Sequence, residues 1–134
     1  METIKLYKIA DREGIRVDFP HMPNVKSACI SLNGKNFIAI DKSVRYGSAE
    51  EKVKLAHEIG HCASNGFYSV GVDLKDREES EKKADSWAIE NLVPFSELEK
   101  AIKNGQEDIS ALAEYFGVTE HFMQKTLQYY SEKN

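Results

Sequence analysis

The chain has 134 residues, 41% of them hydrophobic and 30% charged, with a formal net charge of −4 at pH 7. These values describe an ordinary soluble globular protein of one domain, residues 1–134, with a single modest core. The acidic balance excludes non-specific attraction to DNA or acidic membranes, and no apolar run approaches the roughly 18 residues of a membrane span.

The first five residues, Met1-Glu2-Thr3-Ile4-Lys5, lack the basic-then-apolar layout of a signal peptide. Residues 3–13 read as a helix with Ile4, Tyr7 and Ile9 as its apolar members and Gly14 as its stop. Ile15 to Phe19 alternates as a strand does. Pro20 to Asn24 is a loop, and its His21 is a candidate metal or catalytic group; a histidine beside two prolines is more often simply exposed. Val25–Leu32 and Asn36–Ile40 are β-rich runs around Asn33-Gly34-Lys35, a strong hairpin signal. Cys29 and Cys62 read as free thiols in a reducing cytosol.

Ser48 and Glu51 form a capping box for a helix over 49–63, with Asn65-Gly66 as its stop. Val53, Ala56, Gly60 and two histidines share one side of it, while Leu55, Ile59 and Cys62 fall on the other. A helix apolar on two sides lies between layers. Inside it stands His57-Glu58-Ile59-Gly60-His61. Histidines four apart sit one turn apart on one face and can address one ion, and the glutamate can reach a water on that ion. This is the layout of a catalytic zinc site, which takes a third protein ligand and keeps one position open. Two satisfied core histidines are the competing reading.

Phe67 to Leu74 reads as a loop or short extended piece. Its Tyr68 is a candidate to polarise a substrate carbonyl, packing being the commoner role. Residues 76–92 form the second key helix, ended by Pro94. Glu79, Lys82, Lys83, Ser86 and Glu90 make its polar face, whereas Glu81, Ala84, Asp85, Ala88 and Leu92 lie opposite. Carboxylates turned inward are costly unless paired or metal-bound. Glu81 is therefore the candidate third ligand, with Glu78 its rival. Asp85, one turn on, can accept the free N–H of a ligating histidine. Ser96 is expected to cap a helix to about Lys103. Asp108 caps Ile109–Phe116, Gly117-Val118-Thr119 turns, and Glu120–Tyr130 is a last helix, so that 108–130 has a helix-turn-helix layout.

The capped helix with His57-Glu58-Ile59-Gly60-His61, then Glu81-Lys82-Lys83-Ala84-Asp85-Ser86-Trp87-Ala88, then Asn91-Leu92-Val93-Pro94, resembles the ImmA/IrrE metallo-endopeptidases. Leu112 to Thr119 resembles the helix-turn-helix element that follows in many members. The last helix departs from the family in carrying Lys125-Thr126-Leu127 where an arginine-leucine pair is common. The resemblance implies metal ligands at His57, His61 and Glu81 and a catalytic base at Glu58. It also implies an α+β, zincin-like fold, with a small antiparallel sheet packed on the metal helix and C-terminal helices after it. Similar members are typically encoded by phages and mobile elements and cleave a helix-turn-helix repressor.

The expected protein is thus a cytoplasmic, zinc-dependent endopeptidase whose partner is a protein substrate, a helix-turn-helix repressor. The substrate segment is expected to add as a strand along the outer strand of the hairpin, read as 36–40. Residues 108–130 are expected to bind protein and no nucleic acid, because the last helix has only Lys125 as a fixed positive charge against Glu120. Its apolar residues divide between packing on the zinc domain and a docking surface. Two other classes stay open: a non-catalytic zinc-containing transcriptional regulator, and a toxin-antitoxin-type interaction protein.

Overall fold

The computed structural model describes residues 1–63 and 74–133, with side chains from residue 76 onward in the second part. Asn65-Gly66, Tyr68 and the stretch from Phe67 toward Leu74 lie outside the described residues. The elements in chain order are α1 (Thr3–Arg12), β1 (Arg16–Asp18), β2 (Ser27–Leu32), β3 (Lys35–Ile40), α2 (Ala49–Ala63), α3 (Leu74–Leu92), α4 (Phe95–Lys103), α5 (Ile109–Phe116) and α6 (Glu120–Lys133). Among the described residues no helix is long and apolar enough to cross a membrane.

The architecture is α+β, but the sheet is mixed rather than antiparallel. Its order is β1-β3-β2. β2 and β3 form the expected hairpin, in register from Ser27 opposite Ile40 to Leu32 opposite Lys35. Asn33 and Gly34 make the two-residue turn with φ of 52° and 79°, the positive pair that a tight hairpin requires. β1 joins the far side of β3 and runs parallel to it, Val17 opposite Ile38. The Asn-Gly signal reports the hairpin alone and carries nothing about the edge β1 takes. β3 is therefore the middle strand, with no free edge for a substrate; among the described residues the open edge toward α2 is that of β2.

The side chains of β3 alternate, so Ile38 and Ile40 are buried on the face that meets α2. On α1 the buried members are Leu6 and Ala10, one helical turn apart, while Ile4 is exposed. Tyr7 is half-buried and its hydroxyl donates to Glu51 Oε2 at 2.7 Å. α2 occupies the centre and meets α1, the sheet and α3. Its start is capped as expected, with Glu51 N–H donating to Ser48 Oγ at 3.1 Å. The Glu51 carboxylate reaches one residue further back than a capping box asks, accepting from Gly47 N–H at 2.9 Å. α4 begins one residue before Ser96, with Pro94 at the N-cap position and no side-chain cap.

α5 is capped by Asp108, whose side chain accepts from Ala111 N–H at 2.7 Å. Gly117 then turns the chain in the left-handed region, φ 67°. Lys52 of α2 is buried and donates to the Phe116 carbonyl at 2.7 Å. That places a cation on the C-terminal end of α5, where the helix dipole favours one. α6 buries Phe122, Met123, Thr126 and Tyr130, and Tyr130 donates to the Val93 carbonyl at 2.6 Å. Apolar residues from the sheet and from each of α1 to α6 join a single buried cluster; α3 contributes Ala88, Ile89 and Leu92, and α2 Leu55, Ala56 and Ile59. α1 supplies Leu6 and Ala10, α4 Leu98 and Ala101, and α5 and α6 close the same cluster.

Candidate active site

The site depends first on how closely α2 and α3 approach. A Cβ placed on Gly60 would stand 2.6 Å from the Ala84 carbonyl oxygen and 3.0 Å from its Cα. Only a glycine facing a small residue permits that backbone-to-backbone contact. Ala84 is fully buried there, as is Ala88 one turn on. Because the two backbones touch there, the side chains next to the contact and about one turn before it on each helix meet across the gap.

Those side chains are His57 and His61 of α2 and Glu81 and Asp85 of α3. Glu81 Oε2 lies 2.8 Å from His57 Nε2 and 3.1 Å from His61 Nε2. The atoms with which His57, His61 and Glu81 could hold a metal ion all lie within 4.8 Å of one another. Ligands about 2.0–2.1 Å from a tetrahedral ion stand roughly 3.3 Å apart, so this donor set needs little adjustment to hold one. The chemistry of the set, two imidazoles and a carboxylate, also suits a borderline-soft divalent ion. Asp85 Oδ1 lies 2.9 Å from His57 Nδ1, which orients Nε2 toward Glu81. Glu78 is exposed on α3 and stands outside this group. His21 is also exposed and lies 3.9 Å from Asp41 rather than near the cluster.

The electrostatics follow from these contacts. Burial alone would lower the pKa of His57, but the carboxylates of Asp85 and Glu81 outweigh it and push it up to about 9. The two imidazoles hold Glu81 well below the usual carboxylate range. Burial tends to raise Asp85, yet its bonds to His57 and Lys125 bring it below its ordinary value.

Glu58, the residue after the first histidine, is buried at 5% exposure and lines a cleft of about 560 Å³ together with His57, Glu81 and Asp85. Its Oε2 accepts from Ser27 Oγ at 2.7 Å. Ser27 opens β2 and belongs to the cleft rim. Sequence reasoning passes over it, since only the fold brings it to Glu58. A second residue it passes over is Asp41. Its buried carboxylate accepts from Met22 N–H at 2.5 Å and Ser43 N–H at 3.0 Å, tying the loop before β2 to the end of β3. Thr119, just before α6, and Lys125 within it also line the cleft. Cys62 does point away from the cluster, and its Sγ lies 2.8 Å from Cys29 Sγ on β2, both being free cysteines.

Residues 10–128 match the family model of the IrrE N-terminal-like domain, Peptidase_M78. No curated protein matches the chain.

Proposed function

This chain belongs to the IrrE N-terminal-like (Peptidase_M78, ImmA/IrrE) family, and from that premise we propose that it is a zinc-dependent endopeptidase acting on a specific protein, a helix-turn-helix repressor. The observation that carries this reading is the convergence of His57, His61 and Glu81 beside a buried glutamate that faces an open cleft.

His57 Nε2, His61 Nε2 and Glu81 would hold the ion, in the manner of a zincin with a glutamate third ligand. Bound there, zinc supplies a polarising charge that activates a water and the scissile carbonyl. Glu58 takes the proton from the attacking water and passes it to the leaving amine. Ser27 keeps one Glu58 oxygen engaged and so leaves the other for that water. Asp85 holds the His57 ring by its Nδ1–H. A closed structural metal site has no use for a glutamate at position 58 or for an open cleft, which sets the regulator reading below the enzyme.

The substrate segment adds as a strand to the edge of β2 that is open among the described residues, in place of the 36–40 strand that the hairpin pattern pointed to. Val25, Lys26 and Ser27 bring that edge to the cleft. α5 and α6, although laid out as a helix-turn-helix, serve protein rather than DNA. Lys125 is committed to Asp85, and most of the exposed positions of α6, among them Glu120, Gln124, Gln128 and Glu132, are acidic or neutral; DNA affinity requires cations facing phosphate. A repressor substrate places the reaction in the cytoplasm.

The experiment is incubation of the purified chain with a candidate helix-turn-helix repressor, with zinc and with a chelator, followed by sequencing of the fragments. A single zinc-dependent cut is expected. An intact repressor under both conditions, together with sequence-specific operator binding by the chain itself at physiological salt, would replace the enzyme with the regulator.

A further inference from the structure

Of the two lysines on α6, Lys133 is exposed in the last turn near Glu90 and Lys125 faces inward. Lys125 Nζ lies 2.9 Å from Asp85 Oδ2, while Asp85 Oδ1 lies 2.9 Å from His57 Nδ1. One carboxylate is thus held at both oxygens, by helices far apart in the chain. We propose that Lys125 is a positioning residue of the metal site, which fixes Asp85 so that Asp85 in turn orients His57, and that α6 is therefore part of the site rather than an appended binding element. The inference rests on His57, His61 and Glu81 being zinc ligands.

The support behind Lys125 is rigid. Its neighbours Phe122, Met123 and Thr126 are buried, and Tyr130 bonds the Val93 carbonyl just past the end of α3. α6 is therefore fixed to the helix that carries Asp85, and the ammonium is delivered from a stable base. Asp85 projects into a cleft and is only half-buried; held at one oxygen, it would be free to rotate toward water.

Two effects of the ammonium on a divalent ion oppose each other. It repels the ion at longer range, and it orders the carboxylate that orders a ligand. The lysine side chain is 40% exposed, so solvent screens the repulsion strongly. The contact to Asp85 is direct, and loss of such an outer partner ordinarily weakens metal binding by about 10–100-fold. Positioning wins, with an effect smaller than removal of Asp85 itself.

Zinc dissociation constants, measured by competition with a fluorescent chelator, test this in the full-length chain. Lys125→Met should weaken zinc binding roughly three- to tenfold, below the range for losing the direct partner of a ligand. Lys125→Arg should stay within about twofold of wild type, because a guanidinium still donates to the carboxylate. In an Asp85→Ala background Lys125→Met should have no further effect. Melting of the metal-free variants separates this from a purely structural role, which would lower the melting temperature and leave zinc affinity unmoved. Unchanged or tighter zinc binding by Lys125→Met overturns the proposal, as does an equal loss when Asp85 is already alanine. A wild-type chain that takes up no zinc fails earlier, and removes the peptidase reading as well as this one.

Discussion

The floor and the rim of the cleft are built by different means. The floor comes from α2 and α3, whose backbones touch at Gly60 and Ala84. The rim comes from β2 and α6, each joined to the floor by a side-chain bond: Ser27 to Glu58 and Lys125 to Asp85. Backbone contact fixes the spacing of the floor and leaves no room for error. Side-chain bonds tune the floor groups without setting their spacing. Substitutions in the floor should therefore abolish the site, and those in the rim should grade its performance.

The largest effect is expected at Gly60. Alanine there gains up to about 1 kcal/mol of helix propensity. Overpacking against a backbone that cannot yield costs about 1–3 kcal/mol, and the displacement of α3 carries Glu81 away from the histidines. Gly60→Val, with a larger side chain, should fail more completely. Retained zinc and an unchanged melting temperature in Gly60→Val would show that the close approach is not what forms the site.

Next comes the ligand set. Glu81→Ala should lose zinc, whereas Glu78→Ala, altering an exposed residue, should keep it. The reverse result would move the third ligand. Asp85→Ala should weaken zinc binding by about 10–100-fold without abolishing it.

A smaller effect is expected at Ser27. Ser27→Ala frees one oxygen of Glu58 but touches no ligand, so catalytic turnover should fall several-fold while zinc affinity holds. A parallel loss of zinc would mean that the rim also sets the floor.

The smallest effect is electrostatic. In the metal-free chain His57 has a pKa of about 9, above its ordinary value near 6.5. Protonated His57 therefore stabilises the fold fully below about pH 6.5, and that contribution is lost as pH rises through 9. The melting temperature of the metal-free protein should fall over this window, and the slope should flatten in His57→Gln. Glu81, held low by the two imidazoles, acts with the opposite sign: its contribution is lost on acidification.

The same division separates what the sequence made legible from what it did not. Helical period alone placed His57 and His61 on one face and turned Glu81 and Asp85 inward, because local spacing fixes direction on a helix. Asp108, Gly117 and Ser48 marked helix ends for the same local reason. Ser27 meets Glu58 across 31 positions of chain, and no local pattern reports such a contact. Gly60 reads in sequence only as a weak helix former; its purpose is visible only with Ala84 against it. The parallel pairing of β1 with β3 escaped for a similar reason, since residues 16–18 carry no information about which edge they join. α6 shows both sides of this limit. Its apolar stripe announced a packed helix, but the partner of Lys125 had to come from the fold.

The central claim, that Glu58 is the base of a metal-dependent hydrolysis and no part of the metal's own coordination, has one direct measurement. Wild type and Glu58→Gln are brought to the same measured zinc content, incubated with the repressor, and the products weighed by mass spectrometry. The glutamine variant should hold one zinc per chain, as wild type does, and leave the repressor intact, because an amide cannot accept the proton. Cleavage by both proteins at comparable rates would contradict the account.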